Sequence, residues 1–246
     1  CFAVVAVLLL LPDPEQTFGA ARVARGASGD LRTSGEAQAE VQSASVFRAI
    51  RAHAGVLARI GTGAGLLSAL RASRTVILPL WSVSIGMPAE QAALVIGISG
   101  TLDFALFYAS GQIMDRFGRL WSAIPGMLGM AAGHIALAFT HDSPDRIAWF
   151  TGLAILLGLA NGVTSGLIMT LGADLAPKSN PAPFLGAFRT IADTGQAAAP
   201  LLIAVLTSLL SIMAASASVG VLGVIGAVAL GRWVPRYVPH TRRTRS

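Results

Sequence analysis

The amino-acid sequence predicts an all-α polytopic membrane protein, and three observations lead to that fold class. Only 12% of the residues are charged and 54% are hydrophobic, whereas a soluble domain carries about 25% charged residues. Several apolar stretches of about 20 residues are long enough to cross a hydrocarbon core of roughly 30 Å as helices. These stretches are continuous rather than alternating, which disfavours a transmembrane β-barrel.

The first 59 residues are predicted to precede the main bundle. Residues 1–11 are apolar but too short to cross a membrane, and we interpret them as the end of a truncated transmembrane helix. Residues 12–45 are rich in Ala, Gly, Ser, Arg and Glu without a periodic apolar pattern, which is typical of a disordered loop. Residues 46–60 place apolar side chains on one helical face, which indicates either an interfacial helix on the membrane or an extension of the next span.

Six membrane-spanning helices are predicted to follow, within residues 60–231. Their approximate limits are 63–87, 91–114, 120–140, 147–171, 184–207 and 211–231. Gly158, Gly162 and Gly166 repeat at every fourth position of the fourth span. Small residues at this spacing let helix backbones approach each other closely in lipid, so we expect this row to form a helix–helix contact.

Lysine and arginine residues indicate which connecting segments face the cytoplasm. They concentrate in every second segment: six Arg in 12–59, two in 115–119, one Lys in 172–183 and five Arg in 232–246. Among the alternate links, Arg146 is the sole Lys or Arg residue. The loop before the six spans and the basic tail after them are therefore both predicted to be cytoplasmic. Topology thus explains the net charge of +6, and no nucleic-acid partner is expected.

The link between the second and third spans combines three charges and two glycines in the stretch GQIMDRFGRL. Asp115 can face the positive N-terminal end of a neighbouring helix, and Gly118 allows a turn that a side chain would hinder. Arg116 and Arg119 can pair with acids or lipid phosphates and hold the link at the membrane surface. The alternative interpretation is that any short basic link reports only cytoplasmic orientation.

This link resembles the loop signature of the major facilitator superfamily, Gly-x-x-x-Asp-Arg-x-Gly-Arg, which lies between the second and third helices of that fold and again between the eighth and ninth. The matching residues are Gly111, Asp115, Arg116, Gly118 and Arg119. The segments GLANGVTSG, GADLAP and FLGAFRTIADTGQAAAP are also similar to that family. Because the link follows a long polar loop, its position resembles the second occurrence of the signature.

The resemblance implies a domain organisation for the whole chain. Residues 60–231 would be the C-terminal six-helix half of the fold, and residues 12–59 would be the cytoplasmic loop that joins the two halves. Residues 1–11 would end helix six, and residues 232–246 would form a basic cytoplasmic tail. A missing N-terminal six-helix half is then an expected partner, together with membrane lipids.

Charged residues inside the spans form the candidate pathway for solute or protons, because a charge near the bilayer centre normally faces a cavity or a partner. Asp103 lies about 18 Å deep at 1.5 Å per residue, and is a proton carrier, a solute contact or a structural partner of an arginine. Arg71 and Arg74 share one face of the first span, although snorkelling to the surface would also explain them. Arg189 and Asp193 are i, i+4 neighbours, which fits a local neutralising pair as well as a pathway.

Asn161 completes this candidate set, either as a hydrogen-bonding group of the cavity or as a contact between helices. The three arginines against two aspartates slightly favour an anionic solute. The sequence contains no Gly-x-x-x-x-Gly-Lys-Ser/Thr loop for ATP, no Cys/His metal spacing and no His-Glu-x-x-His motif. We therefore expect no enzymatic activity, no cofactor and no metal site.

The resemblance implies a secondary transporter of the plasma membrane, with a small organic solute bound between the two halves. Our first hypothesis is proton-coupled efflux, with H⁺ as the coupling ion. The alternative hypothesis is uptake of an organic anion. A hypothesis of a different class is a truncated product or a membrane interaction subunit without transport activity.

Overall fold

The computed structural model describes residues 51–237, and this range is helical apart from short links. The helices are α1 (Thr62–Ser84), α2 (Ala89–Phe117), α3 (Arg119–Thr140), α4 (Arg146–Val163), α5 (Leu167–Leu175), α6 (Pro181–Leu209) and α7 (Ile212–Tyr237). The described range contains no strand. The predicted all-α fold class is therefore confirmed. The partial helix at 1–11, the loop at 12–45 and residues 238–246 of the tail lie outside the described residues.

Five helical segments of the described range are long and apolar enough to cross a membrane. They are α2, α3, the segment Arg146–Leu175 that contains α4 and α5, α6 and α7. α1 is also long, with 23 residues, but Arg71 and Arg74 make it less apolar than these five segments. The chain is thus a multi-pass α-helical membrane protein, and its first helix carries two arginines.

A helical lead-in continues directly into α1. A short helix (Ala54–Val56) is followed by a π-helical turn (Leu57–Gly61), and the chain enters α1 with helical backbone angles. Residues 46–60 were predicted to form an interfacial helix or an extension of the first span. The described part of this segment, residues 51–60, continues into α1 without a break. Whether it lies on the membrane surface stays a prediction.

The two ends of the described bundle lie on the same side. Arg59, just before α1, donates a 2.6 Å hydrogen bond from Nη1 to the hydroxyl oxygen of Tyr237, the last residue of α7. The two residues are 178 positions apart in sequence. This contact is compatible with the predicted even number of membrane crossings.

The fourth predicted span contains a break that the sequence reasoning did not foresee. α4 ends at Val163 and α5 begins at Leu167, because Gly166 adopts φ +79°, which a side chain disfavours. The predicted span at 147–171 corresponds to the apolar segment Arg146–Leu175, and this break lies within it. Gly166 serves the turn, whereas Gly158 and Gly162 fulfil the expected packing role: a Cβ at Gly162 would lie 2.8 Å from the carbonyl oxygen of Asp103 on α2.

Helices α2 and α6 are the least enclosed of the five candidate spans. Only 17% of the most apolar part of each helix is buried within the chain. α2 exposes aromatic side chains such as Phe104 and Tyr108, and α6 exposes aliphatic ones such as Leu201 and Val205. These faces are available to lipid or to further protein.

Candidate functional site

A polar network joins three helices at mid-bundle depth. Arg74 of α1 forms an ion pair with Asp103 of α2, with 2.8 Å between Nη2 and Oδ2. Asn161 of α4 donates a 2.7 Å hydrogen bond from Nδ2 to the same carboxylate oxygen. The side chains of Arg74 and Asp103 retain 11% and 20% of their accessible surface, so the pair is largely but not fully enclosed. Three of the residues predicted from sequence are therefore in direct contact.

Ser99 extends this network and was not predicted. Arg74 donates a 3.0 Å hydrogen bond from Nη1 to the buried Ser99 hydroxyl, which itself donates to the backbone carbonyl of Ala154 at 2.6 Å. Gly158 lets α4 approach this point, because a Cβ there would collide with the carbonyl oxygen of Ser99. A lone serine in an apolar helix is a weak sequence signal, although its position four residues before Asp103 places it on the same helical face.

Arg71 lies beside the network but has a different set of partners. Its Nη1 donates to the hydroxyl of Thr164 at 3.1 Å and approaches the backbone carbonyl of Asn161 at 3.5 Å. Within residues 51–237 no carboxylate lies within 4.0 Å of its guanidinium. Arg71 and Arg74 thus bring two positive charges against the single carboxylate of Asp103, and the network carries one excess positive charge.

Two buried atoms of the network have no hydrogen-bond partner within the described chain. They are the Nε donor of Arg74 and the Oδ1 acceptor of Asn161. Both residues already contact Asp103 through other atoms. The network therefore holds one unpaired donor and one unpaired acceptor beside its carboxylate.

Arg189 and Asp193 do not belong to this network. They form a local i, i+4 pair on α6, with Nε of Arg189 2.8 and 3.0 Å from the two carboxylate oxygens. Both side chains are about half exposed, at 53% and 52%. The geometry matches the alternative of a local neutralising pair, and a place in a solute or proton pathway stays a prediction.

The charged link between α2 and α3 is a tight turn at Gly118. Gly118 has φ +100° and ψ 163°, a conformation essentially restricted to glycine. The Arg119 guanidinium, just after it, binds both carboxylate oxygens of Asp174 on α5, with Nε–Oδ2 at 2.8 Å and Nη2–Oδ1 at 3.3 Å. Its Nη1 also donates to the carbonyl oxygen of Met114 at 3.1 Å. Arg119 therefore ties the link to the end of the fourth span.

Asp174 was missed because the sequence placed it in the predicted link 172–183, where only the string GADLAP was singled out, whereas it lies in the last turn of α5. The other members of the signature make fewer contacts in the described chain. Asp115 is 81% exposed and lies 3.5 Å from Arg119, and the Arg116 guanidinium stacks over the Phe117 ring at 5.5 Å. A Cβ at Gly111 would meet no atom within 4 Å. An interaction of Asp115 with a helix end is not tested by these contacts.

Comparison with known proteins supports a family assignment. The model of the Major Facilitator Superfamily matches residues 1–200 and, in a second alignment, residues 63–246. The magnetosome protein MamH of Paramagnetospirillum magneticum is 31% identical over 109 residues, which are 44% of this chain and 24% of the relative. The chain thus matches only about a quarter of that relative's length.

Proposed function

Because the chain belongs to the Major Facilitator Superfamily, a family of membrane transporters, we propose that it forms the C-terminal half of a secondary transporter that exports a small organic solute in exchange for protons. The observation that carries this proposal is the Arg74–Asp103–Asn161 network, which places a partly accessible carboxylate between three helices. The plasma membrane is the proposed location. The loop and tail that carry most of the arginines are proposed to be cytoplasmic.

Asp103 is the proposed site of proton coupling. Its ionised carboxylate accepts hydrogen bonds from Arg74 and Asn161, and protonation removes the charge that holds these donors. A proton can drive a conformational change only if the two states differ in their affinity for it. The spare donor on Arg74 and the spare acceptor on Asn161 support such a difference, because they allow both side chains to change partners when Asp103 becomes neutral.

Uptake of an organic anion is the second candidate function, and one observation favours it. Arg71 has no carboxylate partner in the described chain and contributes the excess positive charge of the network. A charge inside a membrane protein is costly unless it meets a partner. An anionic solute would supply that partner whenever it occupied the site.

A second six-helix half is the proposed protein partner. The aromatic face of α2 and the aliphatic face of α6 are exposed in the described bundle, and either face can pack against such a half. If no partner half exists, the remaining hypothesis is a truncated product or an interaction subunit that does not transport.

The proposal is tested by transport into inside-out membrane vesicles containing the full-length protein, with a panel of fluorescent organic cations and anions and an imposed pH gradient. Asp103→Asn keeps the side chain's shape and mimics the protonated carboxyl, so we expect gradient-driven transport to be lost while passive exchange of the solute continues. Asp145→Asn is the matched control, since Asp145 is exposed and forms no ion pair in the described chain. Uphill transport at the wild-type rate by Asp103→Asn would exclude the coupling role.

A further inference from the structure

We propose that an anionic phospholipid binds where α1 begins and α7 ends, with its phosphate on a cluster of three arginines and an acyl chain in the adjoining apolar crevice. The cluster consists of Arg59, Arg232 and Arg236, grouped around Trp233. This site is separate from the polar network and does not depend on whether the protein transports a solute.

The three arginines converge on one indole ring. Their guanidinium carbons lie 4.9 Å (Arg59), 5.1 Å (Arg236) and 5.5 Å (Arg232) from the centroid of the Trp233 ring. These distances are within the range of cation–π contacts. Arg59 is also fixed by its hydrogen bond to Tyr237. The cations come from two segments far apart in sequence, so the fold itself assembles the cluster.

The cluster has no acidic counterpart in the described chain. None of the three guanidiniums has a carboxylate within 4.0 Å among residues 51–237, whereas Arg74, Arg119 and Arg189 each form an ion pair. Arg232 and Arg236 are like charges at i, i+4, a spacing that destabilises a helix. The negative end of the α7 dipole offsets part of this repulsion, but it does not explain why Arg59 joins the other two. A phosphate group would supply the missing negative charge, because guanidinium forks match its oxygens.

An apolar crevice runs along the same helices. It has a volume of about 390 Å³ and lies between α1, α6 and α7, with Thr62, Leu66, Gly195 and Leu222 among its lining residues. The Thr62 hydroxyl already donates to the carbonyl oxygen of Ala58 in the preceding π-helical turn. The crevice therefore offers a ligand almost nothing but hydrocarbon, which favours an acyl chain over a polar solute.

Helix geometry places the crevice and the cluster along one seam. Trp233 follows Leu222 by eleven residues of α7, about three turns. Arg59 lies in the π-helical turn before α1, three residues before Thr62, which lines the crevice. Leu222 and Trp233 therefore share one face of α7, and Arg59 adjoins the crevice at the start of α1. A single molecule with an anionic head and an apolar tail fits this arrangement.

A phospholipid is favoured over free phosphate because both parts of the site belong to a membrane-spanning bundle. Tryptophan and tyrosine are typical of the membrane–water interface, where lipid headgroups lie. Basic pockets between helix ends bind anionic headgroups in the cytoplasmic leaflet. The chain's own predicted orientation puts this end of the bundle in that leaflet.

Native mass spectrometry of the purified full chain tests the site, with dioleoyl-phosphatidylglycerol as the probe and dioleoyl-phosphatidylcholine as the neutral lipid. We expect tighter binding of phosphatidylglycerol. The double variant Arg232→Gln/Arg236→Gln should weaken that binding by about thirtyfold, from the usual contribution of two arginines at an anionic surface. The matched control Arg146→Gln/Lys178→Gln removes the same charge from exposed positions elsewhere and should retain the wild-type affinity.

Further variants keep the test decisive if one double variant is unstable. Arg232→Lys/Arg236→Lys retains the charges and should keep most of the affinity, and Ala69→Phe should lower lipid affinity by filling the crevice that Ala69 lines. Melting temperatures of all variants identify misfolded protein. Equal affinity for the two lipids, an equal loss in the control, or competition by inorganic phosphate as effective as the lipid would each overturn the proposal.

Discussion

Alanine at Gly162 should disrupt the polar network without changing any polar side chain. A Cβ at this position would lie 2.8 Å from both the carbonyl oxygen of Asp103 and the Cβ of Leu106, whereas ordinary contact begins at 3.4 Å. Relief of both contacts requires α2 and α4 to separate by 3.4 − 2.8 = 0.6 Å. If the separation acts along the bond, the 2.7 Å hydrogen bond from Asn161 to Asp103 lengthens to 2.7 + 0.6 = 3.3 Å. That length is outside the range of good N–H···O hydrogen bonds, which ends at about 3.2 Å.

The cost of this change has two parts. Overpacking of a close helix contact costs about 1–3 kcal/mol, and weakening a hydrogen bond to a charged group adds up to about 1.5–3 kcal/mol. We therefore expect Gly162→Ala to lower the melting temperature in detergent by several degrees and to reduce transport by the full-length protein.

Gly152→Ala is the matched control for this prediction. Gly152 lies on the same helix, but a Cβ there would meet no atom within 4 Å. The control should be neutral or slightly stabilising, because alanine is the better helix former. Equal melting temperatures for Gly162→Ala and Gly152→Ala would refute the argument that close approach of α2 and α4 holds the network together.

Two further predictions concern the link between α2 and α3. Gly118→Ala should destabilise the protein by about 1–3 kcal/mol, because its backbone conformation is essentially restricted to glycine, whereas Gly111→Ala should be neutral in the same thermal melt; similar losses for both would show that the turn is not strained. Asp174→Asn should weaken the two-point contact with Arg119 by about 1 kcal/mol and increase proteolysis of the link in detergent. Asp115→Asn should change proteolysis less, since Asp115 is largely exposed, and an equal increase for both variants would contradict the assignment of Asp174 as the main anchor.

The sequence predicts the fold class and several members of the network, but not their pairing. Composition and the length of the apolar stretches suffice to predict an all-α membrane bundle, because the bilayer imposes both. Depth along a helix also identified Asp103 as a charge in need of a partner. The choice of Arg74 over Arg71 or Arg189 depends on which helices pack together and in which register. Helical periodicity defines the face of one helix, and it does not define the neighbour that this face meets.

Local pairs were easier to predict than distant ones. The Arg189–Asp193 pair follows from i, i+4 spacing alone. The contact between Arg119 and Asp174 joins residues 55 positions apart and required the folded chain. The break at Gly166 was hidden for another reason: a repeat of glycines at every fourth position predicts smooth packing, and the same residue type also permits a left-handed turn.

The break after α4 gives the two intramembrane arginines different kinds of counter-charge. Arg74 is balanced by the carboxylate of Asp103. Arg71 instead faces the end of α4, where it contacts the Asn161 carbonyl and the Thr164 hydroxyl. The terminal carbonyls of a helix carry a partial negative charge of about half an electron, and this charge does not titrate. One arginine is therefore held by a single side chain of a neighbouring helix, and the other by a backbone dipole that is permanent as long as the chain stays interrupted at this turn.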